Sequence, residues 1–135
     1  MDPSKYIGIP YEFRGDRFDG ADCIGLIRLI YQEEFGIALP MYAPEMESPD
    51  KSMIMSSFTS ATRTLLWEET STPIEGDVVL INLFGAPFHC GVFLPGRQML
   101  HVMEKTHSVI ERLDSVRWGQ RLAGFFRHKD HVSGH

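Results

Sequence analysis

At 135 residues and 43% hydrophobic content, the chain is long enough to bury one core without disulfides or a structural metal, and it reads as a single domain. A formal charge of −5 with no cluster of Lys and Arg removes the electrostatic footprint that nucleic-acid binding needs. No run approaches the roughly 20 apolar residues of a membrane helix. Met1 to Tyr6 has neither a basic flank with an apolar run nor a small-residue cleavage site. The chain is therefore expected to be synthesised in the cytoplasm without a signal peptide and to keep its two thiols, Cys23 and Cys90, reduced.

In chain order, Tyr6 to Gly20 mixes Gly8, Pro10, Gly15 and Gly20 with aromatics and charges, which favours turns over periodic structure. Asp22 and Cys23 open a helix whose apolar face is Ile24, Ile27, Tyr31 and Phe35, widened by Leu26 and Ile30 and stopped at Gly36. The polar segment from Leu39 to Pro49 is placed where it can lie over a cleft. Ser48 as N-cap and Pro49 at the first helical position predict a second helix to about Leu66. After Pro73 the texture changes to strands: Val78 to Ile81, Phe88 to Leu94, Gln98 to Met103, Val109 to Leu113 and Leu122 to Arg127. Pro95-Gly96 suits a tight turn, so the second and third of these strands should form a hairpin. Residues 129–135 read as a frayed tail after a single domain over 1–128. Helices followed by strands without intervening helices argue for an α+β fold with a mainly antiparallel sheet.

A cysteine delivered by a glycine-bearing loop onto the first turn of a helix sits where unpaired backbone N–H groups favour a thiolate. A base for Cys23 must come from a histidine held in place by its surroundings. His128, His131 and His135 fall in the polar tail and are set aside, and His107, near a turn, is given a structural role. His89 and His101 lie about equally far from Pro95-Gly96 on antiparallel strands, which makes them cross-strand neighbours. A one-residue slip in register would send one imidazole to the opposite face. In the right register one histidine serves as base toward Cys23 and the other fixes its tautomer. Cys90 follows His89 on the strand, so it points to the other face and belongs in the core. That divergence, with no Cys-x-x-Cys knuckle, argues against a zinc site built from Cys23, His89, Cys90 and His101. Gly15 and Gly20 are not followed by Gly-Lys-Ser/Thr and make no phosphate loop. No cofactor is called for.

Gly8-Ile9-Pro10-Tyr11, Asp22-Cys23-Ile24-Gly25-Leu26, Gly36-Ile37-Ala38-Leu39-Pro40, Gly76-Asp77-Val78-Val79, His89-Cys90-Gly91-Val92-Phe93-Leu94 and Leu100-His101 occur in this order along the chain. Together they resemble the NlpC/P60 family of cysteine peptidases, and more closely its short versions in tailed bacteriophages, over Tyr6 to about Arg127. The resemblance implies a papain-like fold with the nucleophile at the N-terminus of a helix packed on the sheet. It implies Cys23 as nucleophile, His89 as general base and His101 as the residue orienting it. Tyr11 and Asp22 fall on the oxyanion and substrate side: Tyr11 matches the family tyrosine near the nucleophile, whereas Asp22, just before the helix, also suits capping or loop bracing.

The implied activity is a thiol hydrolase that cleaves a peptide amide of peptidoglycan stem peptides, of the D-glutamyl-diamino acid type. Amidase and acyl-transfer variants share the same residues. Ile24 stands where many cell-wall hydrolases of the family carry Ser, a departure that bears on substrate fit. No appended wall-binding module is recognisable, so targeting is expected from a partner, most simply a phage tail structure. A non-hydrolytic assembly module of the tail is the alternative from another class. Nucleic acid and membrane are not expected partners.

Overall fold

The computed structural model describes residues 1–39, 67–83 and 86–131. The helix predicted from Pro49 to Leu66 and nearly all of the Leu39 to Pro49 segment lie outside the described residues.

A short 3-10 turn, Pro3–Tyr6, opens the chain, with the Asp2 side chain accepting from Ser4 N–H. A two-residue hairpin follows, β1 (Asp16–Arg17) with β2 (Gly20–Ala21), inside the stretch read as loop. Next comes α1 (Cys23–Ile30), continued by a wider π-helical turn over Tyr31–Phe35 and closed by Gly36 at φ 65. The left-handed conformation at the end is why glycine stands there. The predicted apolar face is the buried one, since Leu26, Ile27, Ile30 and Tyr31 are all buried.

The remaining elements are β3 (Trp67–Thr70), β4 (Val78–Leu83), β5 (Ala86–Leu94), β6 (Gln98–His101), β7 (Val109–Arg112) and β8 (Leu122–His128). They form one six-stranded sheet in the order β3-β8-β4-β5-β6-β7, antiparallel at every pairing. Strand β3 was not read from the sequence because Trp67-Glu68-Glu69-Thr70 has no buried alternation. It is an edge strand whose burial comes from pairing with β8.

Strand alternation divides the interior in two. Val78, Leu80, Cys90, Val92, Leu94, Leu100 and Val102 pack with α1 in one cluster. Val79, Ile81, Phe93, Met99, Leu113 and Phe125 gather around the buried Trp118 in the other. With roughly 2 kcal/mol from each fully buried aliphatic side chain, both faces contribute to stability. This is the expected α+β arrangement, one helix laid on a mainly antiparallel sheet.

The end of the chain is held further than the expected fray at 129. His131 is buried and its Nε2 lies 2.7 Å from the Glu75 carbonyl oxygen, against Phe35 and Tyr31. Polar composition suggested looseness, but the imidazole finds a carbonyl partner and an aromatic wall. Residues 132–135 lie outside the described part.

Candidate active site

Cys23 is the first residue of α1, and the approach to it is built by two close backbone contacts. A Cβ on Gly25 would come within 1.6 Å of the Gly15 carbonyl oxygen, and one on Gly15 within 2.4 Å of that of Gly20. Only glycine at both positions lets the loop lie flat on the first helical turn. Asp22 locks this geometry. Its Oδ1 accepts from Gly25 N–H at 2.7 Å as the helix N-cap, and its Oδ2 accepts from Arg14 N–H at 2.9 Å, with Arg14 in the left-handed region at φ 63. Both carboxylate oxygens are engaged within the loop and the helix start, so Asp22 stands in the capping place.

The two histidines share a face. The β5–β6 register pairs Val92 with Leu100 and Leu94 with Gln98, which extends to Gly91 opposite His101 and puts His89 one diagonal step away. The missing side chain at Gly91 makes the diagonal contact possible, since a Cβ there would meet His101 Cβ and the Leu100 carbonyl oxygen, each at 3.0 Å. His89 Nε2 and His101 Nδ1 are 2.8 Å apart, and both rings are buried. Both rest on Trp118, with centroid distances of 6.1 Å for His89 and 5.2 Å for His101.

Cys23 is half-buried and lies beside both Cys90 and His89. Its thiol is held well below the ordinary range, first by a hydrogen bond from the Cys90 side chain, against the effect of burial, and then by the His89 imidazole. Cys90 is fully buried on the α1 side, as expected from its place after His89, and its thiol is pushed well up by the neighbouring Cys23 sulfur and by burial. Of the two adjacent thiols, Cys23 is therefore the more readily ionised and Cys90 the donor to it. Because His89 Nε2 is occupied by His101, its Nδ1 is the nitrogen left for the Cys23 sulfur.

Tyr11 lies close enough to Asp22 and Cys23 to feel both. Burial, then the charges of Asp22, Cys23 and Glu104, raises its hydroxyl far above the ordinary tyrosine value, so it stays a hydrogen-bond donor. Its backbone is pinned by Tyr11 N–H to the Thr106 carbonyl at 2.9 Å and by a bridge between Pro10 and His107. His107 thus holds the loop through its backbone while its side chain is exposed.

Two residues of the site were not singled out from the sequence. His101 Nε2 lies 3.3 Å from Glu111 Oε1, and Trp118 Nε1–H donates to Glu111 Oε2 at 2.5 Å. The signal for Glu111 was strand alternation carried one strand further. In the β6–β7 register His101 faces Val109 and Met99 faces Glu111, so Glu111 projects on the same face as His101. Trp118 lies between β7 and β8, where no periodicity applies.

A cysteine at a helix N-terminus, a histidine pair on a neighbouring hairpin and a tyrosine beside the thiol are carried here on a helix laid against an antiparallel sheet, the α+β arrangement of a papain-like fold. The chain belongs to the NlpC/P60 family, whose model matches residues 8–127. It is similar to the murein DD-endopeptidase MepS/murein LD-carboxypeptidase of Escherichia coli K12, 24% identical over 114 residues, covering 84% of this chain and 53% of that protein. It is also similar to the gamma-DL-glutamyl hydrolase of Bacillus subtilis strain 168, 24% identical over 94% of this chain and 28% of that protein. The chain thus spans about half or less of the length of these curated relatives. Among solved structures, the NlpC/p60 domain of the peptidoglycan hydrolase SagA superposes with a TM-score of 0.60 at 20% identity, over 92% of this chain and 89% of that one. A lipoprotein-like NLP/P60 protein from Staphylococcus aureus Mu50 gives a TM-score of 0.61 at 24% identity, over 91% of this chain and 37% of that one.

Proposed function

We propose that this chain is a thiol hydrolase of peptidoglycan stem peptides, with Cys23 as nucleophile, His89 as general base and His101 as the residue that orients His89. The observation that carries this reading is the continuous contact from the Cys23 thiol to His89 and from His89 Nε2 to His101 Nδ1 at 2.8 Å. The Cys23 thiol gives its proton to His89 Nδ1 as its sulfur attacks the amide carbonyl, and the imidazolium then delivers that proton to the leaving amine as the C–N bond breaks and the thioester forms. Water, deprotonated by the same imidazole, then attacks the thioester, releasing the acid and restoring the thiol. The developing oxyanion is stabilised by the Cys23 backbone N–H, an unpaired donor of the first helical turn, and by the Tyr11 hydroxyl.

The peptidoglycan substrate is supported by the activities for which the relatives are named, and the D-glutamyl-diamino acid bond by the family pattern around Cys23 and His89. A place in a phage tail is supported by the resemblance of the chain's motifs to the short phage versions. Digestion of defined muropeptides, with products identified by mass spectrometry, tests the reaction. Wild type should release a new amine and a new carboxylate at one stem-peptide bond, Cys23→Ala should release neither, and iodoacetamide should label Cys23 faster than Cys90. Undiminished cleavage by Cys23→Ala, or equal labelling of the two thiols, would falsify this reading. A folded wild type that cleaves nothing but is incorporated into tail particles would favour the assembly role.

A further inference from the structure

We propose that Glu111 is a positioning residue which sets the direction of the hydrogen bonds running from His101 through His89, leaving His89 Nδ1 as the acceptor that faces Cys23. The inference rests on the roles of Cys23 and His89 given above.

The argument starts from what each atom can donate. A neutral imidazole has one N–H and one acceptor nitrogen, so a chain of two imidazoles has two possible directions. In the first, His101 Nε2–H points to Glu111, His101 Nδ1 accepts, and His89 Nε2–H donates to it. His89 Nδ1 then carries a lone pair toward Cys23. In the second every proton is reversed, and His89 Nδ1 carries a hydrogen that blocks it as a base. Nothing in the 2.8 Å contact between the rings distinguishes the two. The choice is made at the far end.

That end is a carboxylate. Burial opposes ionisation of Glu111, but the hydrogen bond from Trp118 and the nearby His101 and Arg117 hold its carboxyl below the ordinary value. Arg117 Nη1 stands 3.8 Å from Oε1. An ionised carboxylate only accepts, so its Oε1, 3.3 Å from His101 Nε2, requires a proton on that nitrogen. His101 itself is a neutral ring, since burial and then the neighbouring His89 push it down to about 4. A neutral ring with its hydrogen on Nε2 must accept at Nδ1. The Glu111 carboxylate therefore selects the first direction, and the Cys23 proton has somewhere to go.

Trp118 makes the proposal sharp. Its indole is fully buried and is a donor only, and Glu111 Oε2 accepts from it at 2.5 Å. Glutamine has the same shape as glutamate but one acceptor oxygen in place of two. In Glu111→Gln the single oxygen is claimed by the indole, because a buried N–H without an acceptor is costly. The amide nitrogen is then turned toward His101 Nε2 and imposes the second direction. Glu111→Ala leaves His101 free to take either.

A merely structural Glu111 would be replaced well by glutamine and poorly by alanine. The proposal predicts the opposite order. In the Ser-His-Asp triad a wrong tautomer is worth up to about 10⁴ in kcat. One step further from the reacting atoms, kcat of Glu111→Gln should fall by about 100-fold with KM little changed, and Glu111→Ala by about 10-fold. Glu111→Gln combined with Trp118→Phe removes the competing donor and should recover most of the loss.

The experiment is nitrogen-15 NMR of the histidine rings with muropeptide turnover on the same samples. Wild type should show His89 protonated at Nε2, and Glu111→Gln should show it protonated at Nδ1. A wild-type His89 carrying its hydrogen on Nδ1 overturns the proposal without any variant. So does a folded Glu111→Gln protein with wild-type turnover and an unchanged tautomer. Turnover that survives Cys23→Ala instead overturns the nucleophile assignment, and the NMR result then still decides the hydrogen-bond direction.

Discussion

Among the described residues stand two buried histidine pairs, and one of them is joined to the Cys23 thiol. His89 and His101 rest on Trp118, and His128 rests edge-on against Trp67 with a centroid distance of 5.1 Å. All four rings, His131 included, are buried to a similar degree. Each pair also has a glycine that makes room for it: a Cβ on Gly91 would meet His101, and one on Gly76 would meet His131 Nε2 at 2.9 Å. The difference lies in where the nitrogens point. In the first pair they face each other, Cys23 and Glu111. In the second they serve the backbone, with His128 Nδ1 accepting from Asp130 N–H at 3.1 Å and His131 Nε2–H donating to the Glu75 carbonyl oxygen at 2.7 Å. A buried histidine is thus marked as functional by the chain of partners its nitrogens join, and burial alone marks nothing.

The comparison is broken most forcefully by exchanging the roles of the pairs. His89→Ala should lower kcat by about 10³-fold, the scale of losing a general base, while His131→Ala leaves kcat within about twofold. Muropeptide turnover by the two folded variants decides it, and a comparable loss in His131→Ala would erase the distinction. In the second cluster the expected effect is on stability. Arg127 binds the fully buried Asp77 through its Nε at 3.1 and 3.2 Å and its Nη2 at 2.8 Å. Arg127→Ala takes the guanidinium from that carboxylate and should cost about 3 kcal/mol in denaturant unfolding without changing kcat of the remaining folded protein.

The pairs also separate by pH. His101, lowered from 6.5 to about 4 by burial and by His89, stays neutral in the folded chain while the unfolded chain takes up a proton below 6.5. Its contribution to stability is fully present above 6.5 and is lost progressively as the pH falls toward 4. The slope is at most about 1.4 kcal/mol per pH unit. Chemical denaturation of wild type and His101→Asn between pH 7 and 4 should show the variant with the shallower dependence, and parallel curves would refute the assignment to His101. The smallest effect is expected at Gly91. Gly91→Ala asks His101 and the Leu100 carbonyl to give way by a few tenths of an ångström, so it should cost about 1 kcal/mol and lower kcat several-fold. A stability loss of that size with no change in turnover would show that the two rings do not depend on that opening.

How much of this was legible depends on whether each residue lies on a periodic element. The Asp22-Cys23 helix start, the Gly36 stop and the hairpin about Pro95-Gly96 follow from local rules, and the structure has each of them. The shared face of His89 and His101 required a register, and alternation from the turn supplied it. Glu111 was legible in principle, two residues beyond the partner of His101 on the next strand, but only with the β6–β7 pairing in hand. Trp118, Trp67 and His131 were not, because their burial is decided by long-range pairing and by aromatic neighbours. Asp22 follows a local rule as well: its place just before the helix suits capping or loop bracing, and both its oxygens are used by the loop and the helix start.

The seam that carries Tyr11 has a consequence for the order in which the protein comes into being. Ile9 N–H donates to Ser108 Oγ at 2.8 Å, Gly8 N–H to the Ser108 carbonyl at 2.9 Å, and Ser108 N–H to the Ile9 carbonyl at 2.8 Å. One end of the site is thus tied down by residues synthesised about a hundred positions later. The cysteine leaves the ribosome early, whereas His101, Ser108 and Glu111 follow at roughly 5–20 residues per second, several seconds behind. An unfinished chain carries a thiol with neither its hydrogen-bonded histidine pair nor the backbone bonds that seat Tyr11 in place. The thiol is made first and its imidazole neighbours last.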